Sequence, residues 1–522
     1  MNTFNKKSLY AALAGLSALG VTGAAQAVSV NQDGLGQVLL YPYYTVRTNA
    51  AGNAYQSLIS VVNTGNSARA VKVRFLEGKN SREVLDFNLF LSKNDVWVAD
   101  IIPTADGAGV FTPDKSCTVP KVSSNPASPT PFVNYAYTPN TPSGQGDGGD
   151  QSLDRTREGY VEIISMADIF TGTPTYTTIT HALGATPGTP DCDLGILQSP
   201  STSKLNPQLA SDVGPVDSGY YMADGLFGGI TLINVGSGID VSVEATALAA
   251  WNTNVGAHGT PNLYTLFPEG SIQPNLARVS PKTSVVNSGS QTIVTDWTNP
   301  PVLTAFAVDP VSAVLMHDNL YNEFVLDSAT QSQTDWVVTF PTKWAYYTGS
   351  KILDTTGAVI GVGVTKLFQR NFSGTKGACD DISIVRFDRE EKTVKSSTTF
   401  SPPPPTPTDS ICWEANVITF NGGALLASKN QLSIPTTFEN GWVSINFTPA
   451  SAAAPIHQLI GVASTVFDTA TGSTSTITPS TTYNGLPVIG FAASTYKNGN
   501  IAAGSTVYYA GRQNHRFTRK IN

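Results

Sequence analysis

The 522-residue sequence predicts an all-β fold of two antiparallel sandwich-like, Ig-like units carrying long Pro/Gly/Ser/Thr-rich loops. Three observations lead there. Charged residues make up only 13% of the chain, about half the usual quarter or so, which leaves few of the Glu, Lys and Arg that favour helix. Gly (46) and Pro (33) punctuate the sequence at the spacing of turns. Short apolar runs recur between them, several with a period of two, the period of a half-buried strand. Together these exclude a coiled coil and a helical bundle. At about 150 residues per domain the length allows three to four domains, and at the roughly 200–250 residues of large all-β domains it allows two or three.

In chain order, the first element is not a strand. Lys6 and Lys7 precede an apolar stretch, Leu9 to Val21, and Ala25-Gln26-Ala27 supplies a small-x-small cleavage site. This reads as a signal peptide over residues 1–27, too short in its apolar part for the about 20 residues of a membrane span. No later stretch is long and apolar enough for a transmembrane helix. Loss of the leader leaves 29 basic and 38 acidic side chains, a net charge of −9. An acidic, weakly charged surface argues against a nucleic-acid partner.

Strands are then expected at Gln37–Tyr41, Leu58–Val62, Ala70–Phe75 and Val84–Leu91, with Asn63-Thr64-Gly65-Asn66 as a turn. Further strands are expected at Tyr160–Ile164, Ile239–Val243, Asp335–Phe340, Trp442–Phe447 and Leu486–Phe491. The alternation around Val71 and Val84 marks half-buried strands. Ile59-Ser60-Val61-Val62-Asn63-Thr64-Gly65 is echoed by Ile230-Thr231-Leu232-Ile233-Asn234-Val235-Gly236, either an internal duplication or a chance recurrence of strand and turn. Residues 105–151, 185–215, 253–301 and the Thr/Ser tract 468–482 read as loops or edge decorations. The proline run at 401–408 reads as extended polyproline II. The units are placed at 28–300 and 301–522. The strands are too irregular for the repeated lipid-facing alternation of a membrane barrel.

Four cysteines allow three pairings. Cys117–Cys192 and Cys379–Cys412 are favoured, since each closes a loop inside one unit, and export supplies an oxidising compartment. Their spacing fits no zinc motif.

No residue constellation announces catalysis. His181, His258, His317, His457 and His515 are scattered, and neither H-E-x-x-H nor G-x-S-x-G occurs. The acids at Asp380-Asp381 and Asp388 to Glu391 are adjacent, and neighbouring strand residues point to opposite faces, so they do not make a glycosidase pair. Gly144 to Asp150 with Asp154 offers oxygens for calcium, but at the spacing of no known loop, and a hydrophilic loop is the preferred reading. No metal and no cofactor is expected.

Aromatic residues give the candidate binding sites. Tyr43 and Tyr44 cluster with Tyr41 around Pro42, and Trp344, Tyr346 and Tyr347 form a second cluster. Flat rings of this kind hold sugars or protein surfaces, against the simpler reading of core packing. Arg512, His515, Arg516, Arg519 and Lys520 read as a small basic tail, solvated by default or touching an anionic partner.

The stretch from Val71-Lys72-Val73-Arg74-Phe75 to Leu89, with Asp335-Trp336-Val337-Val338-Thr339-Phe340-Pro341 and Gly485-Leu486-Pro487-Val488-Ile489-Gly490-Phe491, resembles a group of exported proteins of Gram-negative proteobacteria with no assigned function. The blocks span most of the mature chain. The resemblance implies an exported Gram-negative protein and brings no catalytic residue. The expected function is therefore that of a non-enzymatic, extracellular, cell-surface or periplasmic structural protein acting through self-association. The alternatives are an adhesin holding cell-surface polysaccharide on Tyr43, Tyr44, Trp344, Tyr346 and Tyr347, or a secreted hydrolase whose site assembles from distant loops.

Overall fold

Strands with alternating polar residues ordinarily turn those residues to water, but here the alternation runs between two buried layers. The computed structural model describes residues 27–139, 146–181, 186, 188–214, 224–253, 265–298, 307–346, 351–353, 359–362, 367–368, 372–374, 376–393, 409–449, 457–502 and 505–522. Most of the expected leader and the proline run 401–408 lie outside the described residues. Among the described residues half are strand and a tenth helix, which makes the fold all-β.

An eight-stranded sheet forms the centre of the N-terminal half, in the order Ser29–Val30, Thr246–Ala249, Val38–Thr45, Glu158–Ile169, Ala68–Glu77, Glu83–Leu91 and Cys117–Val119, with Val213–Gly214 beside Glu158–Ile169. A six-stranded sheet stacks on it, in the order Ile239–Glu244, Leu226–Asn234, Gln56–Asn63, Val96–Pro103, Ala108–Phe111 and Thr130–Pro131. Between the two lie Tyr41, Val61, Val73, Phe75, Trp97, Val161 and Leu232. This is the stacking of a β-sandwich.

The other face of the large sheet is buried as well. Every residue of Ala68–Glu77 and of Glu158–Ile169 is buried, so the half-buried character expected around Val71 is corrected. Lys72 and Arg74 point away from the apolar layer and remain covered, and each has an acid to meet it. Lys72 pairs with Asp86 at 2.8 Å and Arg74 with Glu83 at 2.7 Å. Arg74 also reaches Glu162, and Arg69 reaches Asp168 at 3.0 Å. A covered charge is tolerated only when paired, and pairing is what keeps the alternating pattern from signalling exposure.

The C-terminal half contributes three five-stranded sheets. One joins Asp409–Ile411, Asp380–Asp388, Asn440–Asn446, Asn319–Val325 and Arg516–Thr518; a second joins Gln431–Ile434, Ala415–Phe420, Gln333–Thr339, Ile489–Ala502 and Ser505–Asn514. The pairing is antiparallel except between Ala415–Phe420 and Gln431–Ile434. The third sheet joins the Thr283–Ser288 and Gln291–Asp296 hairpin to Gln458–Asp468, so strand pairing crosses residue 300. It continues into Ser473–Asn484, a strand where a Thr/Ser loop was expected. Threonine is β-branched and suits a largely exposed outer strand, which is what this tract forms.

Two other expectations resolve here. The disulfides are Cys117–Cys192 and Cys379–Cys412, the pairing that the two-unit argument favours. The echoed segments become antiparallel neighbours, Ile59 opposite Ile230. Asn63 and Asn234 both accept a downstream backbone amide, from Gly65 and Ser237. Their sequels diverge, however. Val71 enters the large sheet, while Val241 stays beside Leu232 as a hairpin. The supposed basic tail is likewise folded: His515 is buried, and Arg519 donates to the carbonyls of Val314 and Met316 at the end of the Asp309–Leu315 helix.

Burial sets the pH response. Asp335 lies within the fold and accepts the Leu426 amide at 2.8 Å, and desolvation pushes its pKa up to about 7. The folded protein therefore holds a proton here that an unfolded aspartate, at about 3.9, releases. This contribution is full below the unfolded value and is lost as pH rises through the folded one. Buried His515 works the other way: its pKa is lowered to about 4, so its contribution is lost as pH falls below the ordinary histidine value. Because the two overlap, the clean measurement is a difference. Urea melts of wild type and Asp335→Asn between about pH 5 and pH 8 should show wild type losing stability relative to the variant as pH rises; a constant offset would mean that Asp335 stays ionised throughout.

Candidate functional site

The aromatic residues singled out by sequence are structural. Tyr43 and Tyr44 sit on the Val38–Thr45 strand and are fully buried. The Tyr43 hydroxyl donates to Glu158 at 2.8 Å, and that of Tyr44 donates to the carbonyl of Thr156 at 3.1 Å. Burial, with the Glu158 charge beside Tyr43, holds both phenols well above their ordinary pKa. Tyr346 is buried too, its hydroxyl donating to Asp309 and hydrogen-bonded with the Ser312 hydroxyl. None of the three offers a ring face to a ligand, which corrects their assignment to a sugar platform. Trp344 is half-buried and donates to the carbonyl of Pro341 at 3.0 Å. Tyr347 lies outside the described residues. The chain does bring the two regions together, but through a contact that uses no ring: the Thr339 hydroxyl donates to the carbonyl of Pro42 at 2.6 Å.

Several of the acids and histidines are similarly occupied, while His258 lies outside the described residues. Asp147, from the glycine-rich loop, is gripped by Arg155 at 2.5 Å and by Asn80 at 2.9 Å, and this holds its pKa below the usual carboxylate range although burial opposes it. Asp154 meets Arg47 at 2.7 Å and Lys429 at 2.9 Å. Asp380 meets Lys343 at 2.9 Å, both buried. His457 lies between the carbonyls of Leu367 and Asp381, and His515 between Val337 and Asn322. These groups are committed to the fold.

The feature open to a partner lies on the outer face of the six-stranded sheet, where a groove of about 620 Å³ opens. Its floor follows from strand register. Leu58 stands between Asp100 and Thr231, Ser60 between Val98 and Gly229, and Val62 between Val96 and Phe227. Small residues in the middle row, Ser60 and Gly229, lower the floor. Phe111 and Pro113 border one side, and Glu244 borders the other with Arg512. Leu58, Val96, Val98 and Phe227 are 39–46% exposed. Among them lies Asp100, whose Oδ1 is buried with no hydrogen-bond partner among the described residues and whose pKa desolvation raises to about 6.

The sequence carried a signal for this face. Leu58-Ile59-Ser60-Val61-Val62 and Val96-Trp97-Val98-Ala99 are apolar at successive positions, the mark of a strand with something on both sides. The core covers Ile59, Val61 and Trp97; no layer among the described residues covers Leu58, Val96 and Val98.

The structural role of Tyr43 is testable. Tyr43→Phe removes one donor from buried Glu158 and should cost about 1.5–3 kcal/mol in urea melts, the range for a hydrogen bond to a charged group; a cost near zero would return the tyrosine to the list of dispensable side chains. No protein-family model, curated protein or solved structure matches the chain, so the reading of its function rests on the geometry above.

Proposed function

We propose that this chain is an exported, non-enzymatic structural protein that assembles with further copies of itself through the outer face of the six-stranded sheet. The observation that carries the reading is the apolar strip Leu58, Val96, Val98 and Phe227, exposed on a regular sheet. Contiguous exposed apolar surface of this kind marks interaction sites. A second copy suits it because the charges around it are self-complementary. Asp100 and Glu244 border the groove with Arg512, so an antiparallel copy sets cation against acid on both sides of the contact.

The surroundings fit export. The N-terminal sequence has the form of a cleaved leader, and two disulfides suit an oxidising compartment. The resemblance to exported proteobacterial proteins points the same way. Among the described residues no helix is long and apolar enough to cross a membrane.

Sedimentation velocity over a concentration series tests the reading. Wild type should form dimers or larger species, and Val98→Lys should shift them to monomer with an unchanged circular dichroism spectrum. Association should also weaken as pH falls through about 6, where Asp100 takes up a proton, and Asp100→Asn should remove that dependence. A wild-type protein that stays monomeric at every concentration would overturn the proposal.

A further inference from the structure

On the far side of Arg512 a second concavity of about 550 Å³ opens over a different sheet, within the about 300–1,000 Å³ span of small-molecule sites. It lies on the outer face of the sheet containing Asp380–Asp388, Asn440–Asn446 and Asn319–Val325. Cross-strand register builds it. Trp442 stands between Phe387 and Glu323, and Ser444 stands between Val385 and Tyr321, with Arg516 beyond.

The aromatic wall is braced. Phe387 stacks on Trp442 at 4.3 Å between centroids with the planes 14° apart, and Tyr321 lies 6.4 Å from the same ring. A Cβ at Gly441 would collide with the Phe387 carbonyl oxygen and crowd the Phe324 ring, so glycine is what allows these strands to pack at this point. Despite the brace, Trp442 remains 40% exposed. An indole fixed on one side and open on the other is a costly arrangement unless something covers it.

The remaining lining is polar and of mixed role. Glu323 is exposed and makes no ion pair among the described residues, so it accepts. Gln513 both donates and accepts. Arg512 is held by Asn514 Oδ1 at 2.6 Å, and Arg516 donates to the Asn514 carbonyl at 3.2 Å. Two guanidiniums against one carboxylate make this cleft locally cationic in a chain whose net charge is −7.

We propose that the cleft binds an acidic saccharide, a uronate-containing segment of a polysaccharide. The C–H face of a pyranose ring covers Trp442 and Tyr321, the ring hydroxyls bond Glu323 and Gln513, and the uronate carboxylate meets Arg516 and Arg512. A single-stranded nucleic acid also stacks on aromatics beside arginine. It is disfavoured here, because its phosphates would face Glu323 and an acidic protein, whereas sugar hydroxyls gain a bond from that carboxylate. The inference rests on strands other than those of the proposed assembly face, with Arg512 the one residue lining both, and its test at Trp442 and Arg516 leaves that face untouched.

The test is titration of the mature, disulfide-bonded chain with tetragalacturonate, read by calorimetry and tryptophan fluorescence, with maltotetraose and oligothymidylate as comparisons. The uronate should bind more tightly than either. Trp442→Ala should weaken binding about tenfold or more. Arg516→Gln, an exposed substitution that leaves the ring stack in place, should abolish the preference for the uronate over maltotetraose. Absence of uronate binding at millimolar concentration, equal affinity for the neutral sugar, tighter binding of oligothymidylate, or Arg516→Gln binding like wild type would each overturn the proposal.

Discussion

Glu158 is buried, and four donors gather around its carboxyl group. Arg47 Nε approaches at 3.0 Å, Tyr43 at 2.8 Å, Ser428 at 2.5 Å and the Lys429 amide at 3.0 Å. Two of these come from the N-terminal half and two from the C-terminal half. Next to it, Glu77 takes Arg155 at 2.8 Å and also accepts the amides of Lys79, Asn80 and Arg82, which fixes the turn that ends the Ala68–Glu77 strand. Losing the cationic partner, Arg47 from Glu158 or Arg155 from Glu77, leaves a carboxylate unmatched away from water, which costs about 3–5 kcal/mol. The two halves are therefore joined by a polar lock in addition to apolar packing, and the lock dictates one relative placement where apolar contact alone would tolerate several.

This lock explains why tyrosines that look like a ligand platform are not one. The Val38–Thr45 strand contributes Val38 and Leu40 to one core and Leu39, Tyr41, Tyr43 and Tyr44 to the other. A strand covered on both faces has no spare surface, and the phenolic oxygens serve as the polar tips that a buried aromatic needs. The exposed apolar strip and the Trp442 cleft lie instead on outer sheet faces, where register places side chains from three strands in a row.

Strand positions were legible in the sequence because period-two and continuous apolar runs are local. Val84–Leu91, Ile239–Val243 and Trp442–Phe447 all fall where strands occur. Burial was not legible around Lys72 and Arg74, since their acid partners are supplied by neighbouring strands, one of them Glu162 nearly ninety positions away. The Ser473–Asn484 strand was hidden by composition, as threonine serves loops and strands alike. Trp442 was visible only as one residue of a strand; its exposure depends on Phe387 and Tyr321, which no spacing rule brings together. The cysteine pairing was recoverable because each bond spans a modest separation, 75 and 33 residues.

The Thr339–Pro42 hydrogen bond spans 297 residues of chain, and the Tyr55 hydroxyl reaches the carbonyl of Leu425 across 370. Such contacts have a consequence for the order of assembly. A chain delivered N-terminus first presents Val38–Thr45 long before Gln333–Thr339 and Ile489–Ala502 arrive to cover it. Closing loops of this length is entropically slow, and an apolar strand left waiting pairs readily with whatever is near. The interlocking that gives the finished molecule a single arrangement thus makes its early segments dependent on protection during synthesis, and it sets the pace of folding by the emergence of the last strands.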